Sequence, residues 1–283
     1  MLKRVGGYLT SRPSGDSPSC SLELETRGFV TLRQIFTSEE VSELIEDINR
    51  VFTEYQRDAR AAQRPAAEDE MFRYEMLNRS AVCQQAIGHP KILAVIEPLI
   101  GEDCHVIANT AWRNKANHKD VHGGQGWHID AGPHVPLAEG LSWPEDIPHP
   151  VFAIGTHIFL KDCNAQDGPT GVIPMSHLSG RTPPADRRMD DDLEFKGNKA
   201  ETMITKAGDV SLFLSDVWHR RMTTGEKDSG RFFLQVHYGR RDIAQRIKTT
   251  AEVNQLSDAA IGRAAEQRQK TLIGRHNNYF YDG

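Results

Sequence analysis

The stretch Gly124-Gln125-Gly126-Trp127-His128-Ile129-Asp130-Ala131-Gly132 places a histidine and an aspartate two positions apart. Side chains alternate between the two faces of a β-strand, so His128 and Asp130 point to the same side of an extended segment. A neutral imidazole nitrogen and an anionic carboxylate oxygen are ligands that divalent metals take. The flanking glycines let other groups approach closely. The stretch therefore predicts two corners of a metal site.

Composition narrows the class of protein. The chain has 283 residues and a net charge of −5 from mixed charges, which disfavours a general nucleic-acid-binding protein or a polybasic membrane anchor. Because no long apolar run follows Lys3 and Arg4 or occurs elsewhere, we expect neither a signal peptide nor a membrane-spanning segment. The four cysteines have no C-x-x-C spacing, so we expect no disulfide framework and a cytoplasmic location. Ten of the twelve histidines lie between His105 and His237, and we expect the metal chemistry there.

The N-terminal third of the chain predicts helices. Thr37 and Glu40 have the spacing of a capping box, and the apolar residues that follow recur at helical intervals. A second helix is predicted for residues 90–100. The other expectations here are a short strand at 28–32, a loose lead-in over residues 1–20 and a helix tail or loop over residues 56–70.

From about residue 104 the pattern changes to short apolar segments separated by Gly, Pro and Asp turns. Strands are predicted at 105–112, 151–160, 171–174, 202–205, 210–214 and 231–238. The absence of helical periodicity between them favours an antiparallel sandwich or barrel over a parallel α/β sheet. We expect a single domain over residues 1–283 with an α+β, mainly β fold. Its N-terminal helices would buttress a β core at about 104–241, and residues 242–283 would form a C-terminal helix and tail, with a surface helix at 256–269.

Two later residues complete the predicted site. His219 follows the strand-like segment 210–214, and Arg231 opens another strand twelve residues further on. Two histidines and one carboxylate are the protein ligands of non-haem Fe(II) oxygenases, which leave further coordination positions open. An arginine fork is the natural partner of a carboxylate held in a pocket.

These residues fall in an order that resembles a known family. The ordered set is Gln125, His128-x-Asp130, the run 167–177 (DGPTGVIPMSH), Ala207-Gly208-Asp209, His219 and Arg231. It is similar to the phytanoyl-CoA dioxygenase (PhyH-like) family over roughly residues 29–241. Members of this family are Fe(II)- and 2-oxoglutarate-dependent oxygenases with a double-stranded β-helix (jelly-roll, cupin-like) core. Met175 stands where the family often has glycine, and the inserts 133–150 and 181–199 are not constrained by the motifs.

The resemblance implies a role for each matched residue. His128, Asp130 and His219 would bind iron, and Arg231 would pair with the distal carboxylate of 2-oxoglutarate. Thr170 and Gln125 would form hydrogen bonds with this cosubstrate. In related iron halogenases a small residue replaces the carboxylate ligand, so the retained carboxylate predicts O2-dependent oxygenation rather than halogenation. The expected reaction is hydroxylation of a small-molecule substrate, with decarboxylation of 2-oxoglutarate to succinate and CO2.

Other functions stay open at the level of sequence. The same cofactors support desaturation, cyclisation, epimerisation or dealkylation, which diverge after hydrogen abstraction. A cupin-like metal-binding protein without turnover and a zinc hydrolase use the same ligand types. Arg231 and Thr170 weigh against these two because neither needs a carboxylate clamp. We expect His157 and His237 to line the cavity. For Arg113, Arg220 and Arg221 the alternatives are contact with an acidic substrate or, more commonly, solvated charge.

Overall fold

The computed structural model describes residues 18–54, 71–116, 124–245 and 256–277, together with the backbone of residues 2–5 and 8–11. The prediction for residues 56–70 lies outside the described residues. Part of the stretch expected to be a loose lead-in is regular, because β1 (Leu2–Val5) pairs antiparallel with β2 (Tyr8–Ser11).

Helices form most of the N-terminal third and the described C-terminal segment. They are α1 (Ser19–Arg27), α2 (Ser38–Glu54), α3 (Met76–Arg79), α4 (Ala81–Ala86), α5 (Pro90–Ile100), α6 (Asp258–Arg263) and α7 (Gln267–Leu272). The predicted capping box starts α2: the Thr37 amide donates to Glu40 Oε2 at 2.7 Å, and the Glu40 amide donates to Thr37 Oγ1 at 3.2 Å. Because both bonds are local, the sequence was enough to predict this boundary.

The surface helix predicted at 256–269 is interrupted. The segment forms the two short helices α6 and α7 with a break at 264–266. Ser257 Oγ accepts the Ala260 amide at 3.1 Å and starts α6, whereas Glu266 and Gln269 form a separate capping box for α7. One side of the segment is packed, since Ala260 is buried in the main core, whereas most of its other residues are exposed or half-buried.

The β core consists of two facing antiparallel sheets. Its strands are β3 (Phe29–Leu32), β4 (Phe72–Tyr74), β5 (His105–Asn114), β6 (Ala153–Phe159), β7 (Thr170–Val172), β8 (Glu194–Phe195), β9 (Asn198–Lys199), β10 (Glu201–Met203), β11 (Val210–Leu214), β12 (His219–Arg221) and β13 (Arg231–Gly239). The six-stranded sheet has the order β3-β11-β6-β13-β5-β4, and the three-stranded sheet has the order β10-β7-β12; β8 and β9 pair separately. This is the predicted α+β, mainly β double-stranded β-helix. However, β3 and β4 extend the large sheet with strands from outside 104–241.

Alternation along β13 separates the functional face from the structural face. Tyr238 belongs to the main apolar core, and its hydroxyl donates to the Ile87 carbonyl at 2.8 Å on the helical side. Residues of the opposite parity face the space between the sheets. They are Arg231, Phe233, Gln235 and His237. The helices therefore cover the outer face of the large sheet, whereas the polar and aromatic side chains of its inner face are available for a functional site.

The remaining sequence expectations concern membrane segments and cysteines. None of the described helices is both long enough and apolar enough to span a bilayer. The four cysteines are free thiols, and three are buried. Burial raises the pKa of the Cys83 thiol to about 12, so this side chain is an inert core residue.

Candidate metal centre

Three predicted ligands converge in the space between the sheets. The candidate ligand atoms of His128, Asp130 and His219 all lie within 4.8 Å of one another. Asp130 Oδ1 is 3.4 Å from His219 Nε2 and 3.9 Å from His128 Nε2. The two imidazole centroids are 4.4 Å apart. Two distant segments of the chain therefore supply one compact set of two nitrogen donors and one oxygen donor.

Main-chain pairing holds these side chains in place. His128 and His219 face each other in an antiparallel bridge and exchange two amide-to-carbonyl hydrogen bonds of 3.0 Å. The Asp130 amide donates to the Ser215 carbonyl at 3.2 Å. Since the backbone fixes the separation of the three residues, the donor set is preorganised.

A hydrogen bond to the backbone orients each imidazole. His128 Nδ1 lies 2.8 Å from the Gly126 carbonyl, and His219 Nδ1 lies 2.9 Å from the Val217 carbonyl. A carbonyl oxygen only accepts, so Nδ1 carries the proton in both rings. The lone pair is then on Nε2, the atom that faces Asp130. Such outer contacts commonly orient histidine ligands in metal sites.

The charges in the cluster suit a cation. Burial by itself would raise the pKa of Asp130, but His219, His237 and His128 outweigh it and hold this pKa well below its ordinary value. Burial and then the charge of His219 lower the pKa of His128. Burial alone would lower the pKa of His219, but Asp130 and the hydrogen bond to the Val217 carbonyl together outweigh it, so this pKa is raised. The carboxylate is therefore ionised at neutral pH and available to a metal.

Access to the cluster is uneven. The side chain of His219 is 6% exposed, whereas those of Asp130 and His128 are 20% and 40% exposed. The His128 side is therefore the open one. Two imidazoles and one carboxylate with an open side fit a non-haem iron that needs further positions for a chelating cosubstrate and O2.

Arg231 is a buried cation with unused hydrogen-bonding capacity. It is 8% exposed, its Nη1 donates to the Gly168 carbonyl at 3.1 Å, and its Nε has no partner. Among the described residues, no carboxylate forms an ion pair with it. Burial and then repulsion from Arg221 lower the pKa of Arg231 to about 9. A buried guanidinium in this state fits an incoming carboxylate.

An aromatic wall connects the cluster to Arg231. The Phe213 ring centroid lies 4.6 Å from that of His219 and 5.2 Å from that of His157. The His157 centroid is 4.5 Å from that of Phe233, which lies under the Arg231 guanidinium at 5.2 Å. His157 is buried, its Nδ1 has no hydrogen-bond partner, and burial followed by the charge of Arg231 places its pKa well below the ordinary value. A continuous row of packed rings therefore runs from the candidate metal ligands at one end to the Arg231 cation at the other.

The two remaining predicted site residues differ in their surroundings. Thr170 is 3% exposed and pairs in register with Arg221. It follows Gly168, whose carbonyl accepts from Arg231, by two positions. The Gln125 amide donates to the Arg221 carbonyl at 2.9 Å, whereas the Gln125 side chain is exposed. Their roles toward a cosubstrate stay predictions.

Two residues lie closer to the predicted site than the sequence indicated: His237 was expected only to line the cavity, and Arg221 only to contact an acidic substrate or to be a solvated charge. His237 Nδ1 is 3.7 Å from Asp130 Oδ2, and Arg221 lies beside Arg231. The alternation of side chains along a strand could have indicated both residues. His237 projects to the same face of β13 as Arg231, and Arg221 projects to the same face of β12 as His219. The expectation of solvated charge was wrong for Arg220, which is 1% exposed, pairs with Asp191 and lies over the Trp127 ring.

A cleft of about 590 Å³ lies on the helical side of the molecule, away from the cluster. Phe36, Leu44, His89, Arg263 and Leu272 are among its lining residues. Arg263 is already engaged there by Gln84 Oε1 and the Leu77 carbonyl, each at 2.6 Å. Among the described residues, no set of three potential metal ligands lies in this cleft. The convergence of His128, Asp130 and His219 therefore indicates the functional site better than the cleft does.

A double-stranded β-helix that carries two histidines and one carboxylate in this arrangement defines the class of non-haem iron oxygenases. A family model for phytanoyl-CoA dioxygenase (PhyH) matches residues 24–223, more than half of the chain, and the chain belongs to this family. No relative was found among curated proteins.

Solved structures share the fold at low sequence identity. The epimerase SnoN in complex with Fe3+, alpha ketoglutarate and nogalamycin RO is 17% identical, with a TM-score of 0.61 over 85% of this chain and 90% of that chain. HygX from Streptomyces hygroscopicus with nickel and 2-oxoglutarate bound is 15% identical, with a TM-score of 0.58 over 81% and 89%. EctD from S. alaskensis in its apoform is 18% identical, with a TM-score of 0.63 over 89% and 88%. These likenesses establish the fold.

Proposed function

We propose that the protein is an Fe(II)- and 2-oxoglutarate-dependent dioxygenase that hydroxylates an unactivated C–H bond of a small molecule. In this reaction 2-oxoglutarate is decarboxylated to succinate and CO2. One observation carries the proposal: the buried Arg231 guanidinium, which forms no ion pair with a described carboxylate, is connected by a row of packed rings to the converged His128, Asp130 and His219. A zinc hydrolase or a passive metal-binding protein has no need of this cation.

The residues present fit both groups. His128, Asp130 and His219 would hold the iron through two Nε2 atoms and one carboxylate oxygen, and Arg231 would bind the distal carboxylate of 2-oxoglutarate. Thr170 and Gln125 are the proposed hydrogen-bond partners of this cosubstrate. Iron and 2-oxoglutarate, when bound, supply the activation of O2 that oxidation of a C–H bond requires. The chain itself orients the two imidazoles through their Nδ1 protons, and the rings of Phe213 and Phe233 exclude water from one side of the cavity.

A second outcome with the same cofactors remains a candidate. The similar structures include the epimerase SnoN with alpha ketoglutarate, so this fold also serves an outcome other than hydroxylation. Desaturation, cyclisation and dealkylation belong to the same alternative, because they share the metal and cosubstrate. The free cysteines fit the cytoplasmic location proposed from the sequence.

Succinate release tests the proposal. The purified protein, given Fe(II), ascorbate, O2 and 2-oxoglutarate, is expected to form succinate slowly even without its substrate. His219→Ala should reduce the rate at least 100-fold, because one of three metal ligands is lost. The matched control is His89→Asn, which lies on the helical side and keeps a side chain that can cap the Lys91 amide. A wild-type protein that forms no succinate and retains zinc tightly would contradict the proposal.

A further inference from the structure

A second guanidinium lies beside Arg231. Arg221 follows His219 by two positions on β12 and therefore projects to the same face of the strand. Its Nε is buried without a hydrogen-bond partner. Within the described ranges, no carboxylate forms an ion pair with Arg221. Its sequence neighbour Arg220 also has a buried Nε without a hydrogen-bond partner, but it projects to the other face and pairs with Asp191.

The two guanidiniums meet at Gly168. Arg231 Nη1 donates to the Gly168 carbonyl at 3.1 Å. A Cβ placed on Gly168 would lie 3.0 Å from Arg221 Nε, and the φ of this residue is +65°. Glycine is thus suited to the position both by its backbone conformation and by the closeness of Arg221. Arg231 and Arg221 therefore both lie close to the same residue.

This arrangement is unfavourable, because the neighbouring carboxylates of Asp228 and Asp167 offset the two positive charges only in part. Two like charges held in a partly desolvated site repel each other, and each loses hydration. The structure shows this physical effect in the lowered pKa of Arg231, for which Arg221 is the main cause after burial. Burial also lowers the pKa of Arg221. A carboxylate between the two guanidiniums would compensate both charges and fill their free N–H groups.

We propose that Arg221 is a second cation for the distal carboxylate of 2-oxoglutarate, so that two guanidiniums hold this end of the cosubstrate. The inference rests on the proposed function and deepens it. The rings of Phe213, His157 and Phe233 separate Arg231 from His219. An anion bound by both arginines is therefore at the end of this row of rings that is away from His219. A substrate must instead present its reacting carbon at the metal end, which favours the cosubstrate as the occupant.

Binding measurements separate this role from a merely structural one. The Mn(II)-loaded protein is titrated by calorimetry with 2-oxoglutarate and with 2-oxopentanoate, which has the same chain length but no distal carboxylate. Arg221→Gln is expected to weaken the binding of 2-oxoglutarate by about tenfold or more, the usual cost of a charge-assisted hydrogen bond. The affinity for 2-oxopentanoate should change less than twofold. Arg221→Lys should bind 2-oxoglutarate with intermediate affinity, because it keeps the charge but loses the fork.

Stability gives a second readout with the opposite sign. Without a 2-oxo acid, Arg221→Gln should melt at a higher temperature than the wild type, because the repulsion with Arg231 is removed. A saturating amount of 2-oxoglutarate should then raise the melting temperature of the wild type more than that of the variant. A purely structural arginine would instead give a variant that melts lower.

The control variant is Arg220→Gln, on the same strand but the opposite face. The ratio of its affinities for the two 2-oxo acids should equal the wild-type ratio, even if the variant is less stable. Equal affinities of the wild type and Arg221→Gln for 2-oxoglutarate would overturn the inference, and so would equal losses for both 2-oxo acids; either result leaves the proposed function intact. A wild type that binds neither 2-oxo acid would overturn the proposed function and this inference together.

Discussion

The two oxygens of the Asp130 carboxylate have different surroundings. Oδ1 faces the Nε2 atoms of His219 and His128 at 3.4 and 3.9 Å, whereas Oδ2 is 3.7 Å from His237 Nδ1. The electrostatic attraction between His237 and Oδ2 favours the carboxylate orientation in which Oδ1 is the oxygen on the ligand side. Residues that orient a ligand in this way tune metal affinity without touching the metal.

His237→Asn should therefore weaken metal binding. We expect about a tenfold or greater loss of Mn(II) affinity, the usual effect of removing an outer partner of a metal ligand. The measurement is a Mn(II) titration followed by electron paramagnetic resonance, which counts free metal. His89→Asn makes the same chemical change on the helical side and should leave the affinity unchanged. A His237→Asn protein with wild-type affinity would show that the 3.7 Å contact has no positioning role.

At the scale of the strand, a glycine determines where the aromatic wall stands. Gly155 on β6 pairs with both Phe213 and His237 across its two neighbouring strands. A Cβ at this position would lie 2.5 Å from two ring atoms of Phe213. Phe213 also packs on the His219 ring, with the two centroids 4.6 Å apart. The absence of a side chain at Gly155 therefore leaves the space that the Phe213 ring occupies beside this candidate metal ligand.

Gly155→Ala should disturb the fold and the site together. The Phe213 ring is buried and has to move, so we expect a loss of about 1–3 kcal/mol in the free energy of unfolding, as is usual for overpacking. Metal affinity should fall in the same variant, because the displaced ring presses on His219. Urea denaturation and a Mn(II) titration measure the two effects.

Gly262→Ala is the matched control for this change. Gly262 lies inside α6, and a Cβ there would meet nothing within 4 Å. Alanine is the better helix former, so this variant should be more stable by about 0.5–1 kcal/mol with unchanged metal affinity. A stable Gly155→Ala protein with full metal affinity would mean that Phe213 has room that the structure does not show.

At the scale of the whole molecule, buried neutral histidines predict sensitivity to acid. His149 and His177 pack edge to face with centroids 5.3 Å apart, and the Nδ1 atom of each has no hydrogen-bond partner. Burial lowers the pKa of His149 to about 4 and, with the charge of His149, that of His177 to about 3. An unfolded histidine has a pKa of about 6.5. As the pH falls below this value, these histidines become protonated in the unfolded chain but stay neutral in the folded protein. Protons therefore favour the unfolded state, and the free energy of unfolding decreases.

The stability of the wild type should therefore be full above about pH 6.5 and should decline progressively toward pH 3. His149→Phe keeps an aromatic ring but cannot be protonated. The decrease in the free energy of unfolding between pH 7 and pH 4 should be smaller in this variant by about 2–3 kcal/mol, because each pKa unit corresponds to about 1.4 kcal/mol. Urea denaturation at both pH values measures it. An equal decrease in wild type and variant would assign the acid sensitivity to other groups.

Features that depend on neighbouring residues were predictable from the sequence. The capping box of Thr37 and Glu40 closes within one helical turn, and α5 has the predicted bounds of residues 90–100. The shared face of His128 and Asp130 follows from their spacing alone. The short helices α1, α3 and α4 were not predicted. In α1 two of the three buried side chains, Ser21 and Glu25, are polar, so an apolar pattern could not reveal it.

The sequence by itself determined the ligand types, their order along the chain and the face that each strand presents, because these properties repeat at short, regular intervals. Only the tertiary structure decided which distant residues meet. It set His219 opposite His128, joined β3 and β4 to the large sheet, and brought Arg221 and Arg231 together at Gly168. The physical reason is that antiparallel pairing between remote strands, and the desolvation of charges that it causes, depend on the whole chain closing around one cavity.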